Sequence, residues 1–139
     1  MTIHYTYIAS PLGDLLAARD DVGLTGLYLP TGKHPVSVRA AWIRDDDAFD
    51  DVRTELEEYF AGTRREFTVP LHASGTDFQR RAWTALLDIP YGETSSYGKQ
   101  AVSIGSPDAA RAVGLANGQN PISIIVPCHR VESASVAGE

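Results

Sequence analysis

The chain has 139 residues, of which 43% are hydrophobic and 22% charged, and its formal net charge is −6 at pH 7. This length accommodates one ordinary domain or two small packed ones, and no apolar run approaches the length of a membrane-spanning helix. A single cysteine cannot form an intramolecular disulfide, and the N-terminus lacks the pattern of a secretory leader. We therefore expect a globular protein of the reducing cytoplasm, without a membrane partner.

The negative charge is unevenly distributed. Residues 1–70 hold 7 Lys/Arg against 12 Asp/Glu, a balance of −5, whereas residues 71–131 hold 5 against 4, a balance of +1. The last eight residues add −2. Because nucleic-acid phosphates attract lysine and arginine, any DNA-facing surface is expected in the second half, with modest and strongly salt-dependent affinity. The acidic residues of the first half are expected to form a solvated face.

The first half, residues 1–70, is predicted to be a small antiparallel sheet covered by one helix. Alternating side chains predict the first strand, and the apolar segments on either side of Asp20-Asp21-Val22-Gly23 predict two more. The predicted strands are residues 3–9, 15–19 and 24–29. A loop is predicted from residue 30 to about residue 46. Apolar residues then recur at helical spacing, with acidic residues before the first turn and Gly62 after the last. These helical positions are Phe49, Val52, Leu56 and Tyr59/Phe60.

The second unit, residues 71–139, is predicted to be mainly helical. The sequence Thr76-Asp77-Phe78-Gln79 is a capping-box signature, and Trp83 belongs to the apolar face of the helix that follows. A short helix is predicted from about Tyr97 to Ser103, ended by Gly105. Ser106 is predicted to cap a further helix that starts at Pro107 and runs towards Gly118. Two short helices joined by a glycine-containing turn are a helix-turn-helix candidate.

The second of these helices has an unusual composition, because most of its side chains are small. These residues are Ala109, Ala110, Ala112, Gly114 and Ala116. None of them reads a base edge by hydrogen bonding, so the helix suits close approach to a minor groove, with Arg111 as its long side chain. The alternative interpretation of the small residues is tight packing between helices.

The only cysteine, Cys128, follows the apolar run 122–126 and Pro127. The run predicts a short buried strand that ends where proline withholds its backbone donor, with Cys128 at the strand end. His129 and Arg130 are the nearest groups that could raise the thiolate fraction. Neighbouring side chains on an extended chain point apart, so a water would bridge thiol and imidazole. The residues alone equally allow an inert buried thiol.

An ordered series of motifs from Gly75 to Val131 resembles the 6-O-alkylguanine-DNA alkyltransferases. The motifs are Gly75-Thr76-Asp77-Phe78-Gln79, Ile89-Pro90-Tyr91-Gly92-Glu93-Thr94, Ser96-Tyr97-Gly98, Arg111-Ala112-Val113-Gly114-Leu115-Ala116-Asn117, Asn120-Pro121 and Ile125-Val126-Pro127-Cys128-His129-Arg130-Val131. Residues 10–13 and 58–62 resemble the N-terminal part of the family. The resemblance implies an α+β fold: a ribonuclease H-like unit followed by a winged-helix-like helix-turn-helix unit that carries the active cysteine.

The resemblance also implies roles for single residues. Relatives place this helix-turn-helix in the minor groove; the arginine matching Arg111 replaces the extruded nucleotide, and the tyrosine matching Tyr97 helps to rotate the lesion's phosphate. We group Ala109, Ala110 and Gly114 with this DNA-binding surface. Asn120 is expected to tie the recognition region to the active-site segment. From the residues alone, Arg111 is an ordinary surface side chain, Tyr97 a half-buried aromatic, and Asn120 part of an Asn-Pro turn.

The implied activity is single-turnover repair of DNA. Cys128 takes the alkyl group from the 6-oxygen of guanine, His129 accepts the thiol proton through water, and Pro127 and Arg130 support the local structure. The expected partner is double-stranded DNA containing alkylated guanine. No cofactor is needed, no metal is expected because no Cys/His cluster has ligand spacing, and the protein is expected to be monomeric or weakly self-associating.

The motif series ends at Val131. Relatives continue with a glycine-rich lid and a helix whose glutamate orients the histidine, and this role is assigned to neither Glu132 nor Glu139. The expectation is therefore a shortened C-terminal part. It leaves an alternative function, a non-catalytic or weakly active protein that binds alkylated DNA. A transcriptional regulator is a third hypothesis, which the small-residue helix disfavours.

Overall fold

The computed structural model describes residues 1–30 and 36–132, and the chain divides into two compact units, residues 1–73 and 74–139. The sequence placed this boundary near residue 70. Both units are built from short elements, and the α+β class expected from the sequence is confirmed. None of the helices in the described ranges is long and apolar enough to cross a membrane.

The first unit contains a four-stranded sheet in the order β3-β2-β1-β4. Its strands are β1 (His4–Ser10), β2 (Gly13–Arg19), β3 (Leu24–Tyr28) and β4 (Ile43–Arg44). The three predicted strands are present, and β1, β2 and β3 are antiparallel. The loop predicted over residues 30–46 is wrong in part, because β4 lies within it and pairs in parallel with β1. Two residues are too few to show a period, so sequence patterning misses such a strand.

A helix covers one face of this sheet. A 3₁₀ turn over Asp46–Phe49 leads into α1 (Asp50–Phe60), close to the predicted position. The β1 side chains Thr6 and Ile8 are buried, whereas Tyr7 between them is exposed. The core combines side chains of the sheet, of the turn and of α1. Its members include Ile8, Leu15, Leu27, Phe49, Val52 and Leu56.

The segment after α1 runs back along the first unit. Glu55 of α1 is 7% exposed, and its carboxylate accepts hydrogen bonds from the backbone N–H and the hydroxyl of Thr68. Further on, Leu71 forms a parallel bridge with Leu24. His72 Nδ1 lies 2.6 Å from Asp20 Oδ2. These contacts fasten the extended segment to the first unit.

The second unit is built on three helices, α2 (Asp77–Leu86), α3 (Tyr97–Ser103) and α4 (Ala110–Gly118). The predicted capping box is confirmed, because Thr76 Oγ1 accepts from the Gln79 N–H at 3.1 Å and Gln79 Oε1 accepts from the Thr76 N–H at 2.9 Å. Trp83 is buried, and its indole N–H donates to the Ala116 carbonyl at 2.8 Å. Trp83 is therefore a core residue that joins α2 to α4.

The predicted start of α4 at Pro107 is wrong. The Ser106 carbonyl accepts a hydrogen bond from the Ala109 N–H at 2.9 Å, which closes a four-residue turn, and the helix begins at Ala110 without a side-chain cap. Proline suits the second position of such a turn as well as the first turn of a helix. Gly105, with φ of 80°, ends the preceding helix as predicted. The unit also has two short parallel strands, β5 (Ser95–Ser96) and β6 (Val131–Glu132).

Candidate active site

The predicted strand over residues 122–126 is wrong, because this segment folds into successive turns. The Ile125 N–H donates to the Ser123 carbonyl at 2.7 Å, and the Val126 N–H donates to the Ile122 carbonyl at 3.2 Å. The apolar side chains are nevertheless buried, as the composition predicts. A short apolar run predicts that its residues are buried, but it does not distinguish a strand from a buried turn.

Ile124 has a φ of 72° and is the one non-glycine residue with positive φ within residues 1–30 and 36–132. A β-branched side chain is strongly disfavoured there, at a cost of roughly 1–3 kcal/mol. The Ile124 side chain is 9% exposed, and its neighbours Ile125 and Val126 are also buried. Burial therefore holds a strained turn just before Cys128, and such strain is concentrated at functional sites.

Asn120 clamps this turn through both ends of its amide. Its Nδ2 donates to the Val126 carbonyl at 2.8 Å, and its Oδ1 accepts from the Ile122 N–H at 3.0 Å. The Val126 carbonyl also accepts the Cys128 N–H, at 2.9 Å. One carbonyl thus links the Asn120 side chain to the backbone of the cysteine.

Cys128 is the first residue of a 3₁₀ turn over Cys128–Arg130, not the end of a strand. The turn follows buried Pro127 and is closed by the Arg130 N–H, which donates to the Pro127 carbonyl at 3.0 Å. Cys128 is half-buried and carries a free thiol. A half-buried thiol on such a hydrogen-bonded turn can meet a small electrophile while most of the surrounding segment stays protected from water.

His129 is exposed. Its imidazole forms no hydrogen bond or ion pair with any described residue, and this includes its neighbour Cys128. Partial shielding from water lowers the pKa of His129, and the positive charge of Arg130 lowers it further. The neutral imidazole is the form that accepts a proton, and both effects favour it near pH 7.

Arg130 anchors the cysteine turn to the loop that follows α2. Its Nη1 donates to the Ile89 carbonyl at 2.7 Å, and its guanidinium lies 5.7 Å from the centre of the Tyr91 ring. The sequence placed Arg130 in a supporting role and identified no partner for it. The only available signal was the joint presence of the motifs around Ile89 and Cys128, which says nothing about contact.

The helix-turn-helix candidate is formed by α3 and α4. Tyr97 is half-buried at the first position of α3, where the Ser96 hydroxyl caps the helix by accepting from the Lys99 N–H at 3.1 Å. A Cβ built on Gly114 would lie 3.6 Å from the Tyr97 ring, an ordinary van der Waals distance. The two helices approach closely at this point, although the Tyr97 ring alone does not require glycine at residue 114.

The residues of α4 sort into an inward and an outward face. Val113, Ala116 and Asn117 are buried. Ala109, Ala110 and Gly114 are half-buried, so packing accounts for part of their small size. The exposed residues are Arg111, Ala112, Leu115 and Gly118. Arg111 forms no ion pair with any described residue, so its guanidinium is available to an external anion.

A buried amide pair between α3 and α4 was not predicted from the sequence. Gln100 Nε2 donates to Asn117 Oδ1 at 3.0 Å, and Asn117 Nδ2 donates to Gln100 Oε1 at 2.8 Å. Gln100 Nε2 also donates to the Ala82 carbonyl of α2 at 2.9 Å. The pair therefore joins three helices. The sequence shows both amides, but their burial and the identity of their partners depend on the packing of the helices.

The Asn117 backbone also connects this pair to the cysteine turn. Its carbonyl accepts the Asn120 N–H at 3.2 Å, and the Asn120 side chain holds the Val126 carbonyl. A continuous set of hydrogen bonds thus runs from α3 through the end of α4 to the residue before Pro127. Across the described part of the chain, no group of three His, Cys, Asp or Glu side chains could hold a metal ion.

These features define a class of two-unit proteins, in which a strand-and-helix unit precedes a helix-turn-helix unit that presents a half-buried free cysteine. Sequence models of one family match both units. The ribonuclease-like domain of 6-O-methylguanine DNA methyltransferase matches residues 3–73, and the DNA binding domain of the same family matches residues 77–137. The chain belongs to the 6-O-methylguanine DNA methyltransferase family, which confirms the family resemblance.

Named relatives agree with this assignment. The methylated-DNA–protein-cysteine methyltransferase of Mycobacterium tuberculosis H37Rv is 55% identical over 133 residues, which cover 96% of this chain and 80% of the relative. The corresponding protein of Methanosarcina acetivorans is 47% identical, with coverages of 96% and 85%. The crystal structure of the M. tuberculosis protein in complex with DNA has a TM-score of 0.87 and 54% identity, covering 95% of this chain and 80% of that one.

The expectation of a shortened C-terminal part rests largely on residues 133–139, which lie outside the described residues. The DNA-binding family model extends past Val131 to residue 137. Of the two glutamates considered there, Glu132 belongs to β6 and Glu139 is not described.

Proposed function

We propose that this protein repairs alkylated DNA by accepting the alkyl group from the 6-oxygen of guanine on the sulfur of Cys128. The observation that carries the proposal is the free, half-buried thiol of Cys128, held on a hydrogen-bonded 3₁₀ turn within a unit that matches the family's DNA binding domain. Relatives with 47–55% identity over most of the chain are named as methyltransferases of this kind.

The chemistry is an in-line displacement at the alkyl carbon. The Cys128 thiolate forms the new carbon–sulfur bond while the carbon–oxygen bond breaks, and the bonding electron pair leaves with the guanine oxygen. Guanine departs as the anion or, after protonation, as the neutral base. The thioether product has no simple route back to a thiol, so each molecule reacts once and no cofactor takes part.

His129 is the proposed acceptor of the thiol proton. No direct hydrogen bond joins it to Cys128, so the proton passes through a water molecule. Its lowered pKa keeps the imidazole neutral and able to accept this proton at physiological pH. Arg130 is not assigned a chemical step, because its guanidinium is held by the Ile89 carbonyl and stacked over Tyr91.

Access to a base in duplex DNA requires that the base leaves the stack. We propose that α4 enters the minor groove, that Arg111 takes the place of the extruded nucleotide, and that Tyr97 assists rotation of the phosphate. Arg111 is exposed and forms no ion pair with a described residue, and Tyr97 lies at the start of α3; both observations support these roles. The chemistry needs a reduced thiol, so we place the protein in a reducing compartment, the cytoplasm.

The test is the intact mass of the purified chain after incubation with a duplex that contains one 6-O-methylguanine. We expect a gain equivalent to one methyl group replacing one hydrogen, located on Cys128 by peptide mapping and limited to one per chain. Cys128→Ser should abolish the transfer and retain lesion binding, since its hydroxyl is a far weaker nucleophile. A folded parent chain that stays unmodified would contradict the proposal.

The second candidate function is recognition of alkylated DNA without transfer. It is favoured by one observation, the absence of any hydrogen bond that orients the His129 ring within the described ranges. An orienting partner matters greatly to rate in comparable arrangements. Unmodified Cys128 together with tighter binding to the lesion duplex than to an undamaged duplex would establish this alternative.

A further inference from the structure

Leu115 is the largest apolar side chain on the outward face of α4, and 67% of its surface is exposed. A single exposed leucine on a protein surface needs no explanation. Leu115, however, lies four residues after Arg111, and side chains at this spacing are neighbours on a helix, with Cβ atoms roughly 5–6 Å apart. The other exposed residues of the face, Ala112 and Gly118, are small. The outward face of α4 therefore presents one cation and one branched apolar side chain.

We infer that Leu115 makes an apolar contact in the minor groove beside Arg111. This contact stabilises the complex in which the alkylated nucleotide is extruded from the duplex. This inference rests on the proposed function, because it assigns DNA as the occupant of the outward face of α4. Arg111 carries a positive charge and has no ion pair with a described residue, and the helix lies in the part that matches the family's DNA binding domain, so this face suits a polyanionic partner. Leu115 lies next to Arg111 on the same face of the helix.

The size of the side chain predicts which DNA it contacts best. An undistorted minor groove is about 6 Å wide and leaves little room for a branched side chain between its walls. Proteins that open and bend DNA from the minor groove insert leucine and similar side chains at unstacked base steps. Extrusion of a nucleotide creates such an opened step. Leu115 should therefore stabilise the complex with the extruded lesion more than the complex with intact DNA.

The experiment measures duplex affinity in a Cys128→Ser background, so that transfer does not deplete the lesion. We expect Leu115→Ala to weaken binding to the 6-O-methylguanine duplex about tenfold, the scale of one buried apolar side chain. Binding to the undamaged duplex should change less. Because an apolar contact releases no counterions, the dependence of affinity on salt should keep its slope.

Two further variants make the test specific. Leu115→Met retains apolar volume and should restore most of the affinity. Leu12→Ala removes the same side chain from the turn between β1 and β2, where it is 52% exposed, and should leave DNA binding unchanged. Because Leu115 is exposed, its replacement should also leave the melting temperature unchanged, which separates lost contact from lost folding.

Lesion affinity within twofold of the Cys128→Ser parent would overturn the inference. So would an equal loss on both duplexes, or a loss that Leu115→Met fails to restore. These outcomes differ from failure of the proposed function, which is judged separately by the mass of the chain with Cys128 intact. Transfer with unchanged Leu115→Ala affinity removes only the inference about Leu115, and binding without transfer removes only the proposed chemistry.

Discussion

The two units hold themselves together with different kinds of polar interaction. In the first unit, charged side chains form hydrogen bonds within the unit. The Glu55 carboxylate accepts from Thr68, and the Asp20 carboxylate accepts from His72 and from nearby backbone N–H groups. Arg19 donates to the Ala48 carbonyl at 2.7 Å. In the helical unit, the buried links are neutral, from the Gln100–Asn117 pair to the Trp83 indole. Arg130 is held by the Ile89 carbonyl, whereas Arg111 is exposed and has no ion pair with a described residue, so it is available to a partner.

This difference explains how a chain of net charge −6 can bind DNA. The acidic residues lie mostly in the first half, where several already bind local donors, and the second half is nearly neutral. Net charge describes long-range attraction, whereas binding depends on the cations that reach the phosphates. The following predictions test whether DNA binding depends on cations of the second unit while charged groups of the first unit serve its own stability.

The largest effect on stability is expected at the buried amide pair. Asn117→Leu leaves the Gln100 amide without its α4 partner, and we expect the free energy of unfolding to fall by roughly 2–3 kcal/mol. Chemical denaturation, followed by hydrogen exchange in α3 and α4, measures the loss and shows which unit opens. The double variant Gln100→Leu/Asn117→Leu replaces both partners and should recover part of it. A double variant no better than the sum of the singles would mean that the pair is not coupled.

A smaller loss is expected in the first unit from Glu55→Gln. Glutamine still reaches Thr68 but lacks the charge, so we expect about 1 kcal/mol of destabilisation at pH 7. Hydrogen bonds from Thr68 and the nearby charge of Arg64 outweigh burial and hold the pKa of Glu55 below its ordinary value of 4.5. Its charged form therefore stabilises the fold above about pH 4.5, and this contribution disappears as the pH falls through the lowered pKa.

The measurement for Glu55 is denaturation of parent and variant between pH 7 and pH 3. The difference in stability between them should shrink on the acid side. A difference that grows with acidification would mean that the pKa of Glu55 is raised instead.

A matched pair of arginines compares the surfaces of the two units. Arg111→Ala should weaken duplex binding about tenfold at low salt, because one positive charge near the DNA is lost. The slope of log affinity against log salt should fall by about one unit, and stability should change by less than about 0.5 kcal/mol. Arg53→Ala removes an arginine that is paired with Asp50 at 3.0 Å in the first unit, and should leave DNA binding unchanged. Fluorescence anisotropy over a salt series measures both. Equal effects would refute the division between the units.

The smallest effect concerns pH. Because partial shielding from water and the charge of Arg130 lower the pKa of His129 below 6.5, methyl transfer should persist into mildly acidic solution. The fall in transfer rate on the acid side should be centred below that value. Single-turnover transfer rates between pH 5 and pH 8 measure the fall in rate on the acid side, and an NMR titration of His129 gives its pKa. A pKa of His129 above 6.5 would contradict the effect expected from partial shielding and Arg130. A His129→Gln variant whose transfer rate falls with acidification as in the parent would show that His129 does not accept the proton.

Much of the framework was determined locally by the sequence. The strand β1 follows from alternation, β2 and β3 from the apolar segments on either side of the turn at residues 20–23, α2 from its capping box, and the end of α3 from Gly105. Each of these signals acts over a few residues, so it survives without knowledge of the rest of the fold. The ordered motifs around Cys128 likewise identify the family without reference to the fold.

Tertiary structure decided the features that depend on distant partners. Two residues became β4 only because β1 offers them a free edge, and Ser106-Pro107 became a turn although the same residues suit a helix start. The run before Cys128 folds into a strained turn because Asn120 and a buried setting hold Ile124 in a conformation it disfavours. An apolar sequence requires burial, but which backbone path achieves it depends on long-range contacts, and that path positions the nucleophile.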